Sequence, residues 1–356
     1  MELKEREKLF AAPSREYRGK PFWSWNGRLE EKELMRQADN IKKMGFGGFF
    51  MHSRTGLETE YLGQEWFDLT NKCADYAAKE GMEAWLYDED RWPSGNAGGL
   101  VTKEEKLRMM YMVLELAKTD EELFNLMNEY DSGLSEEETD HTGKPGILAV
   151  FACKVDEDEL FTDKRSLSVE ELRKQKEAAG SVLAPGETAL LVRIKYMNCS
   201  DNYNGYCYVD TMNKESIEKY IDITHENYKK NCGDKFGKEI LGVFTDEPHR
   251  GGMFTDFSGE GERACPYTRG MMAEFEKRFG YSMAQNLPEV FLRKEKGEIS
   301  KVTRDYFELC QELFLEAFAQ PIYKWCKENN MIFTGHVLHE DTLCCQAVMQ
   351  GSLMRF

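Results

Sequence analysis

The chain has 356 residues, enough for a full hydrophobic core, and 47 basic against 64 acidic side chains leave it at −17. Such a surface repels phosphate backbones and no local basic patch offsets it, which excludes nucleic acid as a partner. No apolar run reaches the roughly 18 residues of a membrane span, and Met1–Lys8 lacks the apolar stretch of a secretory signal, so a cytoplasmic protein without a membrane partner is expected.

Residues 20–26, Lys-Pro-Phe-Trp-Ser-Trp-Asn, read as a first strand ending at Asn26-Gly27. From Glu30 to Met44 apolar groups recur at Leu34, Ala38, Ile41 and Met44, which is helical spacing, and Gly45 supplies a C-cap. The run Phe46 to Met51 predicts a second buried strand with His52-Ser53-Arg54 at its exit. A helix follows over Gln64 to Glu80, with Trp66, Leu69, Cys73, Tyr76 and Ala77 on one side, and Gly81 stops it. Met82 to Tyr87 predicts a third strand that delivers Asp88-Glu89-Asp90 and then Arg91-Trp92-Pro93-Ser94-Gly95. Strand–helix units with short links call for a parallel sheet, because parallel neighbours need a crossover helix between them.

That rhythm breaks over residues 105–208. Met109 to Leu116 fits strand or helix equally, and residues 119–145 read as acidic turns. Ile147 to Val155 and Ala189 to Met197 are apolar runs flanking a charged segment, and Asn202-Tyr203-Asn204-Gly205 has hairpin-turn chemistry. The segment is expected to be a small β-rich insertion after the third strand. Helical spacing resumes at Ile217, Tyr220, Ile221, Thr224 and Tyr228. A fourth strand, Leu241 to Thr245, then ends in Asp246-Glu247-Pro248-His249. His249 to Pro266 is glycine-rich and reads as a cleft loop. Helices are predicted around Met271–Phe279 and Lys301–Asn329, the second kinked or divided at Pro321. The fifth strand is Met331 to His336.

The expected fold is therefore α/β, a (β/α)8 TIM-type barrel that is truncated or incomplete. Residues 1–104 and 209–356 would form the barrel, and 105–208 the insertion. Five strand–helix units fall short of eight, so the chain should either self-associate or be followed by C-terminal domains. Ten scattered cysteines without a C-x-x-C pair point to core thiols in a reducing compartment, ahead of a disulfide framework.

Strand-end carboxylates are the chemistry to look for, because α/β folds gather their sites at strand carboxyl ends. Glycoside hydrolysis needs two of them, one protonated to release the leaving oxygen. Glu247 is the candidate acid, with Asp246 beside it to disfavour its ionisation, and Glu340 is the candidate second carboxylate. The bland alternative is a capping pair tied to Arg250. Trp25 and Trp92 are candidate sugar platforms, and Asn26, His52, Asp88, Asp246 and His336 candidate substrate contacts. No metal ligands are assigned: three consecutive acids on an extended chain cannot face one ion, and His336 and His339 stand three apart on a segment read as strand. No cofactor is required. A non-catalytic carbohydrate-binding barrel is the competing reading, and it would show aromatic platforms in a cleft with one carboxylate only.

Pro21-Phe22-Trp23-Ser24-Trp25-Asn26-Gly27, Trp92-Pro93-Ser94-Gly95-Asn96-Ala97-Gly98-Gly99, Tyr208-Val209-Asp210 and Phe244-Thr245-Asp246-Glu247-Pro248 occur in that order. Together they resemble the catalytic barrel of the bacterial α-L-rhamnosidase-like glycoside hydrolases of family 106. The similarity covers residues 20–104 and 206–356. It implies hydrolysis of a terminal glycosidic bond of plant or microbial oligosaccharides, inversion, assistance by calcium, and β-sandwich domains after the barrel. Glu247 takes the acid position of that pattern, and Asn26, Trp92 and Asp210 fall in its motifs, Asp210 as a helix cap.

Overall fold

A computed structural model describes residues 3–175, 181–251 and 263–356. Its strands, in chain order, are β1 (Phe22–Gly27), β2 (Gly48–Leu57), β3 (Glu83–Asp90), β4 (Met110–Ala117), β5 (Gly146–Val155), β6 (Phe161–Leu167), β7 (Thr188–Tyr196), β8 (Ile240–Asp246), β9 (Arg263–Tyr267) and β10 (Ile332–His336). They form two five-stranded sheets. One is parallel, in the order β1-β2-β3-β8-β10, and the other antiparallel, in the order β6-β5-β7-β4-β9.

The parallel sheet adds each strand beside the previous one, and helices Glu31–Lys43, Gln64–Lys79, Lys214–Ile223 and Lys301–Glu328 lie between strands in the chain. The first helix shows why the pattern works. It buries Leu34 and Ala38, carries Glu31 and Glu33 in its first turn, and carries Lys42 and Lys43 in its last, complementing the helix dipole at both ends. The sheet is strongly curled. Phe22 on β1 and Phe244 on β8 sit three strands apart, about 14 Å on a flat sheet, yet their ring centroids are 4.8 Å apart. The ring of eight strands is not formed: among the described residues β1 and β10 are the open edges of a five-stranded trough.

Four expectations change. Residues 119–145 form two helices, Asp120–Tyr130 and Glu136–Thr142, each started by a reciprocal capping box, Thr119 with Glu122 and Ser135 with Glu138. Met109 to Leu116 resolves as strand. The expected cleft loop of 249–266 ends in β9, which pairs with β4 at the edge of the antiparallel sheet, while residues 252–262 lie outside the described residues. Pro321 does not break its helix, because a π-turn over Leu315–Ala319 precedes it and accommodates the missing N–H and the bulky ring.

One continuous hydrophobic core runs from Trp23, Trp25 and Trp66 through Met110 and Tyr111 to Tyr306 and Phe314. A smaller core, around Leu123, Met127, Val150 and Leu172, lies on the other face of the antiparallel sheet. All ten cysteines are free, seven of them buried. Among the described residues no helix is long and apolar enough to cross a membrane.

Candidate functional site

Strand alternation sorts the trough into layers. On β1, Trp23 and Trp25 face the outer helices, and Phe22, Ser24 and Asn26 face inward. At the amino end the floor is Glu83, which accepts from Trp85 Nε1 at 3.0 Å and pairs with Lys20 at 3.1 Å. Above it the rings of Phe22, Phe50, Trp85 and Phe244 meet edge to face or tilted. Next come His52 and Tyr87, stacked at 3.6 Å. At the carboxyl end stand Asp246, Glu247, His336, Glu340 and Trp92.

Alternation would send Asp246 inward and Glu247 outward. Instead Glu247 adopts a left-handed backbone (φ +46°), which returns its side chain to the mouth. Arg91 (φ +82°) and His339 (φ +54°) turn the same way just after β3 and β10, so strained non-glycine residues follow three neighbouring strands. The Glu247 N–H donates to His336 O at 3.0 Å, and its Oε2 accepts from Trp92 Nε1 at 2.5 Å. Asp246 accepts from Tyr87 O–H at Oδ2 and binds His336 Nε2 at Oδ1, both at 2.7 Å. His336 in turn lies 4.0 Å from Glu247 Oε1 through Nε2 and 3.5 Å from Glu340 Oε1 through Nδ1. Burial works against its charge, but Asp246, Glu247 and Glu340 together raise its pKa above the ordinary histidine value. His52 behaves oppositely. Burial pushes it down to about 4, so it is a neutral imidazole at neutral pH.

The Trp92-to-Gly98 loop is built around Glu89. Its Oε2 accepts the N–H groups of Gly95, Asn96 and Ala97, and its Oε1 those of Asp90 and Gly98, at 2.6–2.9 Å. Burial pushes this carboxyl up to about 8 even against the pull of the amides. Five donors nevertheless fill the lone pairs a proton would need, and that geometry favours the carboxylate. Asp88, also buried and pushed up by burial to about 7, accepts from Ser94 Oγ at 2.6 Å.

The structure thus brings Asp246, Glu247, His336, Glu340 and Trp92 together, with Asn26 exposed at the end of β1. It moves three expected substrate contacts away from solvent. Trp25 is 1% exposed and packs on Trp66 with centroids 5.0 Å apart, because it points to the convex face. Asp88 is also 1% exposed and lies beneath the loop, and His52 lies beneath the mouth. Both Asp246 oxygens are taken. Asp210 is not the cap of the following helix. Asn213 caps it, and Asp210 is buried, accepting from Thr268 Oγ1 at 2.6 Å. Sequence reasoning passed over Tyr87 and Ser94, and it weighed Glu89 only within the acidic triplet, not as the anchor of a loop. The alternation of β3 signals Tyr87, and the glycine-rich run after Glu89 is the sort of backbone that can wrap a carboxylate.

Beside Trp92 lies only a narrow crevice, lined by Asp90, Asn96, Asn202, Tyr203 and Asn204, with no room for a water-sized group. A calcium cage needs six or more oxygens. The mouth does not fit one: Asp246 and Glu247 already accept from Tyr87, His336 and Trp92, and the described residues contain no group of three or more His, Cys, Asp or Glu side chains set to hold a metal.

No family model and no curated protein sequence matches the chain. Among solved structures it is similar to the rhamnosidase from Novosphingobium sp. PP1Y, with a TM-score of 0.59 and 13% identity, over 98% of this chain and 48% of that one. The chain thus spans about half the length of that protein, and at this identity the likeness is one of fold.

Proposed function

We propose that this chain carries the active-site half of a glycoside hydrolase that cleaves a terminal glycosidic bond, with a rhamnosidase-like substrate. The observation that carries the reading is the pair of strand-end carboxylates, Glu247 and Glu340, held on opposite nitrogens of the His336 ring. Those contacts limit their separation to about 10 Å, which covers the roughly 6.5–9.5 Å span of an inverting pair.

The chemistry then follows from which oxygens are free. Trp92 occupies Oε2 of Glu247, so the transferable proton sits on Oε1, the oxygen on the His336 side. It passes to the leaving-group oxygen as the glycosidic C–O bond breaks. Water adds to the anomeric carbon from the opposite face and gives its proton to Glu340. His336, whose charged form its carboxylate neighbours favour, holds Asp246 and Glu340 in place. The aromatic layer of Phe22, Phe50 and Phe244 forms the apolar wall below. No step runs through calcium. The sequential parallel order and the curl support a barrel that further strands would close between β1 and β10, on the same chain or a second copy.

The test is a panel of aryl glycosides, α-L-rhamnoside included, assayed with the wild type and with Glu247→Gln and Glu340→Gln. Each variant is expected to lose at least about a hundredfold in kcat. NMR of the first-formed anomer should report inversion. Full turnover by Glu247→Gln would end the reading.

A further inference from the structure

We infer that Ser94, oriented by Asp88, is the positioning residue for the Asp246–Glu247 pair. The inference rests on the glycosidase reading for its kinetic consequence but not for its geometry.

Ser94 is wholly buried and every polar group it owns is engaged. Its N–H donates to Asp246 O at 2.8 Å, and its Oγ accepts the Asp246 N–H at 2.8 Å. One residue of the loop therefore holds both backbone groups of Asp246. A serine hydroxyl has one proton and can rotate, so something must decide whether it donates or accepts. Asp88 decides it. The Ser94 proton goes to Asp88 Oδ1 at 2.6 Å, which leaves the Oγ lone pairs for the Asp246 amide. The Ser94 carbonyl is fixed in turn by Tyr208 O–H at 2.5 Å.

Asp88 is itself anchored from behind. Its carbonyl accepts from Tyr220 O–H at 2.6 Å, and its Oδ2 faces His225 Nε2 at 4.0 Å. Two residues before Ser94, Trp92 holds the Glu247 side chain. The same short loop thus fixes Asp246 by its backbone and Glu247 by its carboxylate. Glu247 is where the chain enters its left-handed turn, so a shift of Asp246 changes where the Glu247 carboxylate points. A displacement of about 1 Å at a reacting group can cost a hundredfold in rate.

Two readouts separate positioning from simple packing. The first is kinetic, on the aryl glycoside the wild type turns over. Ser94→Ala is expected to lower kcat about tenfold or more with KM changed less than about threefold. Asp88→Ala should match it, and the double variant should lose no more than either single one, because both break one chain of contacts. Asp88→Asn should recover most of the rate, since its amide oxygen still accepts from Ser94.

The second readout needs no activity. It is the Trp92 indole N–H resonance in a ¹H–¹⁵N spectrum, assigned through Trp92→Phe. It should shift in Ser94→Ala and Asp88→Ala and stay in place in Asp88→Asn. If Ser94→Ala does not fold, Ser94→Cys keeps the volume, weakens the hydrogen bonds and carries the same test. A lowered unfolding midpoint with kcat intact and the Trp92 resonance unmoved would overturn the inference. If no glycoside is turned over, the functional reading fails, and the Trp92 resonance still decides the positioning.

Discussion

Replacing Glu89 by glutamine keeps the shape of a fully buried side chain and changes only its charge and the chemistry of one terminal atom. In the wild type, five backbone N–H groups converge on two carboxylate oxygens, three on Oε2 and two on Oε1. Glutamine must turn its NH₂ toward one of these sets. The better choice opposes it to the two donors at Oε1 and leaves both unsatisfied. At about 1–3 kcal/mol for each buried donor without a partner, the substitution should cost about 2–6 kcal/mol. That is a large share of the ~5–15 kcal/mol by which folded domains are usually stable. The measurement is the urea-unfolding midpoint at pH 7, with near-UV circular dichroism to confirm a native fold at zero denaturant. A loss below about 1 kcal/mol would refute the reasoning. It would mean that burial outweighs the amides, that Glu89 is protonated in the native protein, and that the loop is not built on an anion.

Trp92→Phe removes the one indole N–H on Glu247 Oε2 and should lower kcat about tenfold in the glycoside assay, with unchanged kcat counting against a role for that contact. His52 and His225 are buried neutral, with pKa values pushed down to about 4 and about 3. Their unfolded forms bind a proton near pH 6.5, so their contribution is full above that pH and is lost as pH falls toward 4 and below. The penalty is on the order of 3 kcal/mol for each by pH 3, and denaturation midpoints from pH 7.5 to 4 should fall less steeply in His225→Phe. Gly242→Ala would place a Cβ 2.3 Å from the Trp85 ring and 2.4 Å from Ile332 O, so about 3 kcal/mol should be lost in chemical denaturation. Thiol titration of the native protein should count two to three reactive cysteines, Cys199, Cys344 and the half-buried Cys345, rising to ten on unfolding.

Much of the parallel sheet was legible because its signals are local and repeat. Apolar spacing located the helices after β1 and β2, and glycines located their ends. The capping boxes at Thr119 and Ser135 were equally local but lay among acidic residues that resemble a solvated loop, so composition hid two helices. β9 could not be read, since its pairing with β4 spans about 150 positions of sequence and its own residues, Arg-Ala-Cys-Pro-Tyr, carry no alternation. Residue type found the acidic mouth, but type alone does not tell which face a side chain takes. Trp23 and Trp25 illustrate the limit: an indole near a strand end suits a sugar platform, and here the pleat turns both into the core.

Curl and strain have a common consequence for the mouth. On a flat parallel sheet the inward residues of β3, β8 and β10 would stand roughly 5 Å apart in a row, too evenly spread for one imidazole to touch three carboxylates. Bending the sheet draws their carboxyl ends toward one another, and the register that sets His336 opposite Asp246 brings the imidazole to the acids. Curl alone still leaves Glu247 on the wrong face. The left-handed turn corrects that, and it persists because Trp92 and Ser94 bind the turn from the loop after β3 while the His336 carbonyl binds it from β10. If those three supports hold the turn together, loosening one should show itself first at the Glu247 carboxylate, before the strands that carry it are disturbed.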